Sequence, residues 1–231
     1  MKNAFLGLLS IVIAFMFLAI LGEAVLRVNH VAKEALTGNT ILKFELEEEL
    51  GWVGTRDYAY SGELRDAAQQ VYRVDITANE NGFRAFGDPL HSQRRKVLFL
   101  GDSFTHALQV SDDKTYFSLL ADRLDLEVFA LGVDGYGTLQ QFLMLDRYVD
   151  RIKPDAIVLQ LCPNDFVNNH YQVELQSPRN NNGMRRPYWI DGAVQYRLPR
   201  AMPWLRHFAN AHSRLLYFIL TRLDRLSFKS G

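Results

Sequence analysis

A chain of 231 residues, about half of them apolar, is long enough for one domain of ordinary size plus an appendage. Its 26 basic and 26 acidic residues cancel, which removes the electrostatic case for nucleic acid, whose phosphates need a basic face. The single cysteine, Cys162, excludes an internal disulfide and a multi-cysteine metal site.

The chain begins with Ala4 to Gly22, AFLGLLSIVIAFMFLAILG, 19 residues without a charge. As a helix it would span roughly 28 Å, close to the hydrocarbon thickness of a bilayer. A buried core helix would show a polar face, and this stretch shows none. A cleaved signal peptide would carry a shorter apolar run and a small-x-small site, and Gly22-Glu23-Ala24-Val25-Leu26-Arg27 offers no clean one. The reading is an uncleaved single-pass membrane anchor. Lys2 and the amino terminus oppose Arg27 and Lys33, so charge sets its orientation only weakly, with the domain expected on the exported side.

Residues 23 to 50 keep a helix-like rhythm and close with Glu45-Leu46-Glu47-Glu48-Glu49, which reads as a solvated helix face or linker. Residues 51 to 92 read as irregular structure with short strands, with turn signals at Asn81-Gly82 and Asp88-Pro89. The expected divisions are an anchor and flank over 1–27, a linker and irregular segment over 28–92, and an α/β domain over 93–231.

From Lys96 the pattern sharpens. Val97 to Leu100 suits a buried strand ended by Gly101, Thr115 to Leu124 has helical spacing, and Glu127 to Leu131 is a second strand closed by Gly132. Thr138 to Ile152 predicts a helix with Leu139, Phe142, Leu143, Leu145 and Val149 on its apolar face. Lys153-Pro154-Asp155 breaks it, and Ala156 to Leu161 is a third buried strand. Strand, helix, strand, helix, strand with short connections argues for parallel pairing under helices on both faces. Residues 171 to 200, with Asn180-Asn181-Asn182-Gly183, read as a polar excursion or flap, and Leu205 to Leu226 resumes a helical rhythm.

In such a sheet ligands bind beyond the carboxyl ends of the strands, where three loops converge. The first is Gly101-Asp102-Ser103-Phe104-Thr105, the second Gly132-Val133-Asp134-Gly135-Tyr136-Gly137-Thr138, and the third Cys162-Pro163-Asn164-Asp165. A serine oxygen with two or three hydrogen-bond donors aimed at one point is what acyl transfer needs, because the tetrahedral intermediate puts negative charge on the carbonyl oxygen. Each loop alone has the composition of an ordinary turn. Together, in this order at one sheet edge, they point to a site.

GDSFT, then LGVDGYGT, then CPND, on successive strand ends, resembles the SGNH (GDSL-type) hydrolase family over roughly Lys96 to Asn169. The N-terminal anchor and the NENGFR segment, Asn79 to Arg84, resemble its membrane-anchored bacterial members. The resemblance implies a flavodoxin-like parallel sheet and esterase or acyl-transfer chemistry, often on carbohydrate O-acyl groups or lipids; no cofactor is expected, and no His, Asp and Glu cluster shows the spacing of metal ligands. By position Ser103 would be the nucleophile. Its own N–H, the N–H of Gly135 and the side chain of Asn164 would be the oxyanion donors. The third block usually reads Gly-x-Asn-Asp, and here Cys162 holds the glycine position.

The family's base comes from an Asp-x-x-His motif after the last strand. The one Asp-x-x-His among the six histidines is Asp88-Pro89-Leu90-His91, which precedes the first strand. A strand of this length puts His91 at the far end of the sheet from Ser103, so the match reads as chance. His106 and His170 fall nearer, but neither has an evident aspartate to orient its ring, and His207 and His212 have no nearby aspartate upstream. The base is unknown from sequence. Two further strands of the expected sheet are also missing, and the 231 residues read as the front part of a longer hydrolase.

Two functions follow. One is a serine-nucleophile ester hydrolase or acyltransferase working through an acyl-enzyme, bound to the bacterial inner membrane with its domain on the periplasmic or extracytoplasmic side. The other is a non-catalytic, membrane-anchored carbohydrate- or acyl-binding module. A nucleotide-binding domain is disfavoured because Gly132 to Thr138 lacks the Gly-x-Gly-x-x-Gly order.

Overall fold

The first helix, α1 (Lys2–Leu36), carries the charge-free stretch, and its apolar side chains from Leu6 to Leu21 are exposed where they are described. The computed structural model describes residues 2–36, 44–177, 181–200 and 202–227. Residues 37–43 of the expected linker and Asn180 of the Asn-rich run lie outside the described residues. The chain divides into two compact units, residues 1–40 with 200–231, and residues 41–199.

The second unit opens with a hairpin of β1 (Phe44–Glu47) and β2 (Gly51–Gly54). The acidic run is therefore mostly strand, not a helix face. Its carboxylates are partnered: Glu45 meets Arg56 at 2.7 Å, and Arg147 bridges Glu47 at 2.9 Å and Glu49 at 2.6 Å. The hairpin turns where Glu47 Oε2 accepts the N–H of Leu50 at 2.6 Å and Gly51, at φ +87°, leads the chain back into β2. A second hairpin, β3 (Ala59–Arg65) and β4 (Val71–Thr77), turns Val74 and Ile76 inward onto Leu108.

The main sheet has the order β5 (Ala85–Phe86), β7 (Leu126–Gly132), β6 (Arg95–Gly101) and β8 (Ala156–Leu159). β7 and β8 both pair parallel to β6, as the alternation of strands and helices predicts, and the short β5 is antiparallel to β7. Between them run α2 (Ser103–His106), a 3-10 turn (Asp112–Lys114), α3 (Tyr116–Leu124) and α4 (Thr138–Ile152). α3 begins where Thr115 Oγ1 accepts the N–H of Ser118, and both α3 and α4 end on a left-handed residue, Asp125 and Lys153.

Side chains of β6 and β7 alternate between two cores. Leu98, Leu100, Phe129 and Leu131 pack with Met144, Tyr148 and Ile152 of α4, together with Leu50, Trp52 and Phe83. Val97, Phe99, Val128 and Ala130 pack on the other face with Phe117 of α3. Burying a side chain of this size stabilises by about 1.5–3 kcal/mol, which is why these strands carry no polar face.

Two expectations are corrected. α4 buries Gln140, Gln141, Met144, Tyr148 and Ile152, whereas Phe142 is 58% exposed. The glutamines can lie inward because Gln140 Nε2 donates to the Leu50 carbonyl at 2.6 Å and Gln141 Nε2 reaches Asp165 at 3.4 Å. β8 is a strand, but not a buried one: all four of its residues are exposed, because it pairs on one side with β6 and no described helix packs on it.

Beyond β8 come α5 (Asp165–Asn168), α6 (Tyr171–Gln176) and the hairpin β9 (Arg186–Ile190) and β10 (Ala193–Arg197). The polar excursion thus contains a helix and a hairpin, and it carries a buried ion pair. Arg186 Nε lies 3.2 Å from Glu174 Oε2 with both side chains fully enclosed, and the guanidinium covers the Trp52 ring at 5.0 Å. The chain then returns to the first unit with α7 (Pro203–His212) and α8 (Arg214–Ser227).

Candidate active site

Ser103 is the first residue of α2, immediately beyond the carboxyl end of β6. The turn forms because Asp102 caps it: its side chain accepts the Phe104 N–H at 3.1 Å and its carbonyl accepts the His106 N–H at 2.9 Å. The far end of α2 is held by Arg84, whose guanidinium donates to the carbonyls of His106 (3.0 Å), Ala107 (2.6 Å) and Val110 (2.9 Å) and pairs with Asp112 at 2.7 Å. Burial lowers the Arg84 pKa, and Asp112 opposes that shift. Arg84 closes the NENGFR segment, in which Asn79 Oδ1 accepts the N–H groups of Asn81 and Phe83. The motif therefore braces the serine turn.

Asp102 is the centre of the cluster. Its carboxylate, 1% exposed, also accepts the Cys162 S–H at 3.3 Å and the Asn164 carboxamide at 3.2 Å. It ties the loop after β8 to the loop after β6. The second N–H of Asn164 goes to Asn168 Oδ1 at 3.2 Å. Asp165 accepts the Cys162 N–H at 3.0 Å, and burial raises its pKa, with Asp102 adding to the rise.

Cys162 lies outside the left-handed backbone region, so the turn does not require a glycine there. Its thiol is buried, and that burial, reinforced by Asp102, pushes the pKa to about 12. A shift of this size lowers the thiolate fraction at pH 8 roughly a thousandfold. Native protein treated with a thiol reagent at pH 8 should leave Cys162 unmodified while denatured protein reacts at once; prompt modification of the native chain would contradict this placement.

The glycine-rich loop after β7 has two constraints. A methyl group on Gly132 would run into Thr105 Cβ and the backbone of His106, so this glycine admits α2 against the sheet. Gly135 sits at φ +78°, and a side chain there would run into the carboxamide of Asn182, which Arg186 holds. Trp52 Nε1 donates to the Asp134 carbonyl at 3.0 Å and Tyr136 donates to the Trp52 carbonyl, which pins the loop from beneath. Burial raises the Tyr136 pKa well above its usual value and keeps it a donor.

Residues 97–187 match the family model described as GDSL-like Lipase/Acylhydrolase. This segment belongs to that family. No curated protein matches the chain. The GDSL-like segment spans the three converging loops, α6 and the start of β9, and its type is that of an ester hydrolase.

Within the GDSL-like segment the histidines are placed as follows. His106 does have an aspartate: its Nδ1 lies 3.0 Å from Asp134 Oδ1, and the Asp134 N–H is 3.3 Å from the same nitrogen. Sequence spacing hides the pair, because 28 positions separate its members. The ring is buried, and Nε2 lies against Gly54, where an added methyl group would meet it at 3.3 Å. His170 caps α6, its Nδ1 accepting the Val173 N–H at 3.4 Å. Outside the segment, His91 forms a surface turn with Asp88 at 3.0 Å, its side chain 82% exposed, on the amino-terminal side of β6. Among the described residues Ser103 Oγ makes no hydrogen bond, and the α7 helix that carries His207 and His212 belongs to the other unit.

Proposed function

We propose that the GDSL-like domain is a serine-nucleophile ester hydrolase or acyltransferase acting on O-acyl groups of carbohydrates or lipids, built on a flavodoxin-like sheet. The observation that carries this reading is the joining of the loops after β6, β7 and β8 around Ser103, through Asp102–Asn164 on one side and His106–Asp134 on the other. In this reading Ser103 Oγ attacks the ester carbonyl, and the oxygen that becomes negative takes the N–H groups of Ser103 and Gly135 and the carboxamide of Asn164. Asn164 meets it by exchanging its bond to Asp102 or Asn168 for one to the substrate. Collapse expels the alcohol and leaves acyl-Ser103, which water or an acceptor hydroxyl then releases. The parallel order β7-β6-β8, with helices on both faces of β6 and β7, supports the flavodoxin-like arrangement.

The second reading is a membrane-anchored module that binds a carbohydrate or acyl group without turning it over. It is favoured by one observation: Ser103 Oγ has no base against it among the described residues, while His106 presents Nδ1 to Asp134 and Nε2 to Gly54. In both readings α1 anchors the chain in the bacterial inner membrane with the domain on the periplasmic or extracytoplasmic side, supported by the apolar span Leu9–Asn29.

Hydrolysis of p-nitrophenyl acetate by the full chain separates the two. The catalytic reading predicts turnover that Ser103→Ala abolishes and that Asn164→Ala lowers by about 10²–10³-fold, the usual cost of one oxyanion donor. Absence of turnover, with binding of an acylated carbohydrate unchanged by Ser103→Ala, would select the binding module.

A further inference from the structure

The first unit holds a structure that neither ester chemistry nor simple anchoring uses. The break between α7 and α8 is the single residue Ser213, and it is fastened to α1 at one level. Glu23 accepts the Ser213 hydroxyl at 2.9 Å and the N–H groups of Arg214 at 3.0 Å and Leu215 at 2.8 Å, while Arg27 donates to the His212 carbonyl at 2.9 Å. Leu215 packs on Gly22, in contact distance of a methyl group placed there. Glu23 is the first charged residue after the apolar stretch from Ala4 to Gly22. The elbow between α7 and α8 therefore sits where the apolar part of α1 ends.

Both helices expose apolar stripes at helical spacing. Trp204 and Phe208 stand on α7 at 71% and 52% exposure, and Ile219 and Leu223 on α8 at 43% and 54%, four residues apart in each case. The aromatics Tyr217 and Phe218 are also exposed, on the arginine-bearing side of α8, where Arg222 covers the Phe218 ring. Thr221 lies on the opposite side of α8 from Leu223, by the 100° step of a helix. Charge is also uneven: residues 201 to 231 hold Arg206, Arg214, Arg222, Arg225 and Lys229 against Asp224 alone, in a chain whose charges cancel as a whole.

We infer that α7 and α8 lie on the surface of an anionic bilayer, with the stripes Trp204–Phe208 and Ile219–Leu223 entering the headgroup and upper acyl region. This rests on the reading of α1 as a membrane span. A helix with an aliphatic side and a side of arginines interleaved with aromatics binds such a surface, the aliphatic side reaching about 5–10 Å into it and the aromatics and arginines meeting the headgroups. The fastening at Glu23 sets the depth: it holds the elbow beside the end of the charge-free stretch of α1, toward the Asn29 end of the span, the level from which both helices would run along the interface. A protein partner would equally cover apolar stripes, but it would not account for their attachment at the boundary of the span or for the surplus of arginine.

The test uses the full chain in nanodiscs of phosphatidylcholine and phosphatidylglycerol, with a fluorophore on Phe208→Cys, Leu223→Cys, Thr221→Cys or Ile13→Cys in turn. The native Cys162 is buried and stays unlabelled. Lipids carrying a nitroxide high on the acyl chain should reduce the signal at positions 208 and 223 by roughly a factor of two and leave position 221 unchanged. A nitroxide near the chain end should quench position 13. Quenching at 208 and 223 should weaken in discs of phosphatidylcholine alone. If position 13 is quenched and 208 and 223 are not, the span stands and the surface inference fails. If 13 is also unquenched, the anchor reading itself fails and takes this inference with it. A label at 223 that is shielded from water yet unquenched would assign the stripe to a protein occupant, and equal quenching at 221 and 223 would put α8 inside the bilayer; either result overturns the inference.

Discussion

Arg84→Met should destabilise the second unit by about 1–3 kcal/mol, the usual cost of leaving buried carbonyls without their donor, since Asp112 itself is partly exposed and keeps its hydration. The side chain is 1% exposed and its donors serve four groups: the carbonyls of His106, Ala107 and Val110, and the carboxylate of Asp112. Methionine fills the volume but donates nothing, so the carbonyls at the end of α2 lose their partners in a place water does not reach freely. Arg84→Lys should recover only part of the loss, because one ammonium cannot span a fork that touches both sides of the turn. Hydrogen exchange of amides in β6 and α2, read on the full chain, separates this unit from the helices of the first. Protection unchanged in Arg84→Met would mean that α2 holds its shape without the brace.

A larger loss is expected at the Glu174–Arg186 pair. Both side chains are fully enclosed, Tyr188 donates to Glu174 at 2.9 Å, and the Arg186 guanidinium also reaches Asn182, the residue that sits on Gly135. Burial lowers the Arg186 pKa and the Glu174 carboxylate opposes it, while burial and the same carboxylate raise Tyr188. Glu174→Leu and Arg186→Met should each cost about 3–5 kcal/mol, and the double variant clearly less than their sum, since removing both leaves no lone buried charge. Chemical denaturation of the four proteins gives the coupling. Strict additivity would show that the pair is not an energetic unit. On the catalytic reading Arg186→Met should also slow ester turnover, because Asn182, which contacts Gly135, then loses the guanidinium that holds it.

Much of the sheet was legible because it is governed by periodicity. Near-continuous apolar runs marked β6 and β7, and Lys153-Pro154 marked the end of α4 to the residue. Periodicity failed where hydrogen bonds override hydropathy. Gln140 and Gln141 take inward positions on α4 because Leu50 and Asp165 receive them, and that rotates Phe142 outward. The run from Ala156 to Leu159 has the composition of a buried strand, yet burial depends on what packs against it, and composition does not carry that information. The acidic run looked like a solvated helix because its partners, Arg56 and Arg147, come from elsewhere in the chain.

The site divides in the same way. The three loops could be placed from sequence, since each follows a strand. The contacts that join them could not, because Asp102 meets Asn164 across 62 positions and His106 meets Asp134 across 28. Arg84 and Arg186 look like surface arginines in the sequence and are among the most enclosed charged residues of the unit.

The most direct test of catalysis at Ser103 is the attachment of a fluorophosphonate to the full-length protein, with the adduct located by mass spectrometry of its peptides. The catalytic reading predicts a single phosphonyl group on the peptide containing Ser103 and none on Ser103→Ala. A folded protein, with native hydrogen-exchange protection in β6 and β7, that takes up no phosphonate at Ser103 would contradict it.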